Sequence, residues 1–108
     1  MKWNVRFTEP AIEDVLQEIR YHKEQEPRRD QDFLASLRAV IEHITNFPEA
    51  APLARTRLFK RRDSVREIPC GPYRLFYLVR EDTCWVLAVT YATRHLPNAW
   101  KERPRLIP

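Results

Sequence analysis

The sequence predicts an α+β domain of order β-α-α-β-β-β, in which a helical hairpin packs on one face of a small antiparallel sheet. Three observations carry this. Between Glu9 and Asn46 apolar residues recur every three or four positions. Between Ser64 and Ala92 they alternate or run continuously. A basic, proline-flanked segment separates the two regimes. At 108 residues the chain is one domain, large enough for a single core and too small for two.

Lys2 to Phe7 alternates, with Trp3, Val5 and Phe7 on one face, and reads as a short strand. Thr8-Glu9-Pro10 then opens a helix: a hydroxyl caps it, and proline is tolerated in the first turn. Ile12, Val15, Leu16 and Ile19 make its apolar stripe, while Glu9, Glu13, Asp14 and Glu18 fill the solvated face. This helix ends near Gln25, before Pro27. A second helix begins near Pro27 or Asp30 and ends at Asn46-Phe47-Pro48, with Phe33, Leu34, Leu37, Val40, Ile41 and Ile44 as its stripe. The short connection makes the pair antiparallel. Leu16, Ile19, Leu37 and Ile41 are expected between the hairpin and the sheet.

Ser64 to Ile68 reads as a strand stopped by Pro69, and Cys70-Gly71-Pro72 as a turn. Tyr73 to Arg80 is a strand with Tyr73, Leu75, Tyr77 and Val79 on one face and Arg74, Phe76, Leu78 and Arg80 on the other. Glu81-Asp82-Thr83 turns the chain into a strand over Cys84 to Ala92, apolar on both faces and therefore central. The tail carries Pro97 and Pro104, with a helical turn at Asn98 to Arg103. With the hairpin on one face, two readings of the other stay open. In one, Arg74 and Arg80 frame Phe76 and Leu78 on an exposed sheet. In the other, those two are core and the arginines only flank them.

The composition excludes several classes. The single glycine, Gly71, rules out a P-loop and a dinucleotide-binding GxGxxG turn, each of which needs more than one. Cys70 and Cys84, with no CxxC and no nearby histidine cluster, make no zinc site and are expected to be reduced. His22 and His43 fall in predicted helices, where exposed or capping roles are expected. No metal or small-molecule cofactor is expected. No apolar run approaches the roughly 20 residues of a membrane span, and the N-terminus has no signal-peptide core, so a cytoplasmic location is expected, without membrane partners.

Charge is the informative feature. Residues 1–50 hold seven Lys/Arg and ten Asp/Glu; residues 51–108 hold twelve and five. Ala54 to Arg66 alone carries six positive charges, Arg55, Arg57, Lys60, Arg61, Arg62 and Arg66, against one negative, Asp63. The sheet repeats the sign at Arg66, Arg74, Arg80 and Arg94. A polyanion or an acidic partner is the natural counterpart of such a surface.

Nearly the whole chain resembles the ParE/RelE superfamily of bacterial toxins. The residues that carry the resemblance are Val5-Arg6-Phe7-Thr8 with Ala11, the helix ending Phe47-Pro48, the strands Tyr73-Arg74-Leu75-Phe76-Tyr77 and Val86-Leu87-Ala88-Val89, and the ending Arg94…Pro97…Trp100…Arg103. The resemblance implies a type II toxin, of the growth-inhibiting kind associated with plasmid stabilisation, neutralised by a cognate antitoxin whose C-terminal segment wraps it. It leaves two mechanisms. The RelE-like branch cuts mRNA on the ribosome, which here would use Lys60, Arg61, Arg66 and Arg74 as charge stabilisers, Glu67 as base, and Tyr91, Arg94 or His95 as proton donor or phosphate ligand. The ParE-like branch inhibits DNA gyrase without a nuclease site. The Arg94…Trp100…Arg103 tail is more similar to that branch. Tyr91 stands where related toxins often carry a histidine, with His95 displaced beyond it, which weakens transfer of a histidine-dependent cleavage mechanism. The expected surface for target or antitoxin comprises Arg55, Arg57, Lys60, Arg61, Arg62, Arg80, Arg94, Trp100 and Arg103. A non-toxic basic binding module is the third reading.

Overall fold

The computed structural model describes residues 3–26 and 28–108. Lys2 and Pro27, the expected starts of the first strand and second helix, lie outside them. The order is β1 (Asn4–Phe7), α1 (Glu9–Gln25), α2 (Arg28–Asn46), β2 (Arg66–Cys70), β3 (Tyr73–Arg80) and β4 (Thr83–Tyr91). Two 3-10 segments, Arg61–Asp63 and Asn98–Leu106, complete the chain. The β-α-α-β-β-β architecture is the one the sequence predicts. The sheet, ordered β1-β4-β3-β2, is mixed rather than wholly antiparallel, because β1 lies parallel to β4.

Thr8 sets the entry to α1. Its extended backbone precedes the helix, and its side chain accepts from the Ala11 amide at 3.4 Å. Its own amide and hydroxyl both donate to the Val86 carbonyl, tying the helix start to the sheet. On α2 the buried stripe is Phe33, Leu37, Val40 and Ile44, as the periodicity predicts. On α1 the expectation holds for Val15 and Ile19, which are half-buried against the same core, and fails for Ile12 and Leu16. Ala11, Asp14 and His22 are buried, whereas Ile12 and Leu16 are 45 and 38% exposed. Leu16 therefore does not lie beneath the hairpin, and Asp14 does not face solvent. His22, expected to be exposed or capping, is 1% exposed, with Nε2 2.6 Å from the Tyr73 hydroxyl.

Pro69 does not stop β2. The strand runs on to Cys70, and a proline is permitted there because β2 is a sheet edge whose outer side needs no ladder amide at that residue. Gly71 turns the chain into β3 at φ +59°, and an added Cβ would meet Ser36 Oγ of α2 at 3.1 Å.

The second face of the sheet is not open. Phe76 and Leu78 are 0 and 3% exposed and form a second core with Phe59, Val65, Leu87, Ala88 and Trp100. The basic loop and the C-terminal 3-10 segment supply the cover. Of the two readings the sequence left open, the core reading holds. The loop is pinned from beneath: the Tyr77 hydroxyl donates to the Pro48 carbonyl at 2.7 Å, and Arg66 Nη1 donates to the carbonyls of Glu49 and Ala51 at 3.1 and 2.6 Å. The Ala54 amide donates to Val65, closing the loop on itself.

A bulge shapes β4. Phe76 pairs with Ala88 and Tyr77 with Val86, so Leu87 is left over, and Leu87 and Ala88 both face the second core. β1 ends opposite Val86. The next outward backbone groups of β4 are met by side chains instead of a strand. The Val89 amide donates to Asp14 Oδ2 at 3.1 Å, and Arg103 Nη1 donates to the Leu87 carbonyl at 3.0 Å. Arg103 and Asp14 also pair directly, at 2.6 and 3.1 Å through two nitrogens.

No helix among the described residues is long and apolar enough to cross a membrane.

Candidate anion-binding clefts

The basic loop folds around a cleft of about 480 Å³. Arg55, Arg57, Lys60 and Arg61 line it, all with exposed side chains, over a floor that includes the buried Phe59 and Val65. The local sequence builds this shape. Phe59 is drawn inward onto the Phe76 ring, at a centroid distance of 5.4 Å, and Ser64 reverses the chain at φ +54°. The charged neighbours of Phe59 are thereby turned out to water.

A second cleft, of about 690 Å³, lies between that loop and the segment after β4. It brings together Arg57, Arg74, Arg94 and His95, with Thr56 and Thr93. Thr56 and Arg57 are common to both clefts, and neither has an aspartate or glutamate in its lining. Arg74 is held by its surroundings: Nη2 donates to the Arg94 carbonyl at 2.9 Å, Nη1 stands 3.8 Å from Glu67, and the guanidinium lies over the Phe76 ring. Its Nε is buried with no hydrogen-bond partner. Opposite it on β4, the hydroxyl of Thr90, a residue 1% exposed, is likewise unpartnered.

The remaining candidate residues go elsewhere. Arg62 is exposed on the 3-10 turn and Arg80 at the far end of β3, about 20 Å of strand from Arg74. Neither lines a cleft. Arg66 holds the loop as described. Glu67 faces Arg74 across the β2–β3 pair. Tyr91 lies on the other side of the sheet, stacked on Tyr73 at 4.5 Å and packed against the hairpin core. Trp100 and Arg103 are 8 and 9% exposed. The Arg103 guanidinium is 3.8 Å and that of Arg94 5.3 Å from the Trp100 ring centroid. The tail motif thus fastens the C-terminal segment to the second core, leaving Arg94 and His95 as its exposed members beside the cleft. Among the described residues no group of His, Cys, Asp or Glu is placed to hold a metal ion.

Beneath Tyr91 is a polar cluster that sequence periodicity does not reveal. The Tyr73 hydroxyl lies 2.6 Å from His22 Nε2 and 3.1 Å from Glu18, while His22 Nδ1 is 3.3 Å from Asp30. Burial first, then Tyr91 and Glu18, hold the Tyr73 phenol protonated well above the ordinary tyrosine range. Glu18 and His22 at i, i+4 were the available signal, a pair sharing one helix face. Burial pushes the thiols of Cys70 and Cys84 up to about 11, so they are protonated and poorly nucleophilic at neutral pH.

Residues 5–96 match the family described as the ParE toxin of the type II toxin–antitoxin system, parDE. No curated protein matches the chain. Among solved structures, the fold is similar to a chain described as "Chromosomal ParDE TA system from P. aeruginosa", with a TM-score of 0.57, 12% identity, and coverage of 83% of this chain and 96% of that one. At that identity the likeness speaks for the fold. The family match spans most of the chain, from β1 past β4 into the second cleft, and the chain belongs to the ParE family of toxins of type II toxin–antitoxin systems.

Proposed function

We propose that this toxin arrests growth by binding and inhibiting DNA gyrase, and that a cognate antitoxin neutralises it by laying an acidic segment over the basic loop. The observation that supports binding over cleavage is the separation of the groups a nuclease would need. Arg74 and His95 open to one cleft, Tyr91 is stacked behind the sheet, and Arg66 is spent on the carbonyls of Glu49 and Ala51. A phosphoryl-transfer site requires its base, acid and charge stabilisers within reach of one phosphate. A binding surface requires only complementary charge and a few anchors. The basic loop has both, since Leu53, 43% exposed, sits at the rim of the cationic cleft. An antitoxin rich in Asp/Glu with spaced apolar residues fits that combination.

Two assays on the purified protein test the reading. Inhibition of gyrase supercoiling, with no fragments from ribosome-programmed mRNA, supports it. mRNA cleavage with unimpaired supercoiling replaces it with the RelE-like mechanism, and activity in neither assay favours a non-toxic binding module. A co-expressed neighbouring protein that fails to co-purify at any salt concentration would remove the antitoxin part.

A further inference from the structure

We propose that the two clefts, joined through Thr56 and Arg57, form one track for the sugar–phosphate backbone of duplex nucleic acid, held without reading sequence. The track carries Arg55, Lys60 and Arg61 at one end, Arg57 at the junction, and Arg74 and Arg94 at the other, with no carboxylate lining either half. Uninterrupted positive lining suits a chain of phosphates better than a single anion, because each strand repeats its charge every ~3.4 Å of helix axis. The inner end holds a specific donor as well as field. Arg74 lines the second cleft, and its Nε is buried with no hydrogen-bond partner. Buried polar groups are ordinarily satisfied, and a phosphate oxygen is an acceptor for it.

The scarcity of stacking surfaces decides between duplex and single strand. Phe59, the one Phe, Tyr or Trp among the described lining residues of either cleft, is 7% exposed and packs on Phe76, which leaves the single imidazole of His95. Tyr91 faces the hairpin instead. Proteins that hold single strands offer several rings on which successive bases stack, and this track offers only one imidazole, at one end. The inference goes beyond gyrase inhibition: it concerns the toxin alone and a naked duplex, so its failure leaves the gyrase assay untouched.

The test is fluorescence anisotropy with a labelled 20-base-pair DNA duplex of arbitrary sequence, titrated with the full chain at 50 to 200 mM salt. Binding is expected to weaken by about 100-fold across that range, as about four phosphate contacts require. Arg57→Gln/Arg94→Gln is expected to weaken binding at least tenfold and to lower the log–log salt slope by about two. Arg20→Gln/Arg38→Gln, which removes the same charge from exposed helix positions, is expected to leave binding within twofold. Circular dichroism verifies folding, and Arg57→Gln/Lys60→Gln serves should the first pair unfold the tail. Inorganic phosphate at 10 mM should not displace the duplex. Displacement by free phosphate, a single strand bound more tightly than the duplex, poly-glutamate of equal charge bound as tightly, or equal losses in track and control variants would each overturn the proposal.

Discussion

Arg103 and Asp14, 89 positions apart in sequence, form a two-bonded ion pair that stands in for a missing strand. Where β1 ends, Asp14 accepts the Val89 amide and Arg103 donates to the Leu87 carbonyl, so the two side chains continue the edge of β4 past its bulge. The guanidinium also lies 3.8 Å from the centroid of the Trp100 ring, and both side chains of the pair are nearly buried. This is why the tail belongs to the fold although it is irregular and holds prolines.

The first prediction follows from that pair. Removing one partner strands a buried charge and a backbone group of β4 together. Arg103→Ala or Asp14→Ala should each cost about 3–5 kcal/mol, and the two should be far from additive. Urea unfolding of both single variants and the double variant measures this. Single variants that melt like the wild type would show that the edge of β4 needs no side-chain cover.

The same pair shows what a sequence hides. The stripe of α2 was legible because all its buried members are apolar. α1 buries Asp14 and His22 and half-buries Glu18, residue types that pattern reading assigns to solvent, and leaves Ile12 and Leu16 outside. The cover over Phe76 and Leu78 was illegible for another reason. A loop and a 3-10 segment carry no period, so nothing in their spacing says which face they close. Nor does alternation in β1 encode its direction, and its parallel pairing with β4 follows from the return path of the hairpin. The clefts were legible in part: Arg55 to Arg61 announced themselves by charge, whereas the Arg74–Thr90 pairing needed the register.

Packing on the two helices should therefore respond unequally. Leu37, 7% exposed, faces the sheet, so Leu37→Ala should cost about 2–5 kcal/mol. Leu16→Ala, at an exposed position outside the core, should fall near ±0.5 kcal/mol. Thermal melts of the two variants compare them directly. A Leu16 loss as large as that of Leu37 would mean that Leu16 is buried with Val15 and Ile19 after all.

Alkaline pH should destabilise the fold through its thiols. Burial raises Cys70 and Cys84 from 9.0 to about 11, so both are neutral when folded and ionise more readily when unfolded. Such groups contribute full stability below the unfolded value, and lose it as pH rises through the folded one. Stability should thus fall between pH 9 and 11, by on the order of 2 kcal/mol per thiol. Tyr77 and Tyr73, also raised by burial, extend the fall above pH 10. Urea midpoints at pH 8, 9.5 and 10.5 follow the effect. Cys70→Ala/Cys84→Ala should flatten the earlier part of the curve, and an unchanged profile in that variant would show that the thiols carry none of it.

The last prediction separates toxicity from folding at the residues first suspected of function. Arg57→Glu/Arg61→Glu alters exposed side chains in the first cleft, so it should leave circular dichroism and melting intact while abolishing growth arrest, because charge reversal turns attraction for an acidic or phosphate-bearing target into repulsion. Trp100→Ala should also abolish arrest, but by costing about 3–5 kcal/mol of stability in the second core. Loss of toxicity there is diagnostic only in molecules that still fold. Tyr91→Phe is the decisive change. It keeps the ring stacked on Tyr73 and removes only the hydroxyl behind the sheet, so arrest should persist unchanged. A catalytic donor at that position would instead make the same change cost about 10²–10³ in rate. Growth curves after induced expression, read beside melts of the purified variants, give the result. Arrest lost in folded Tyr91→Phe, with mRNA fragments accumulating in the wild type, would convert the reading from binding to cleavage.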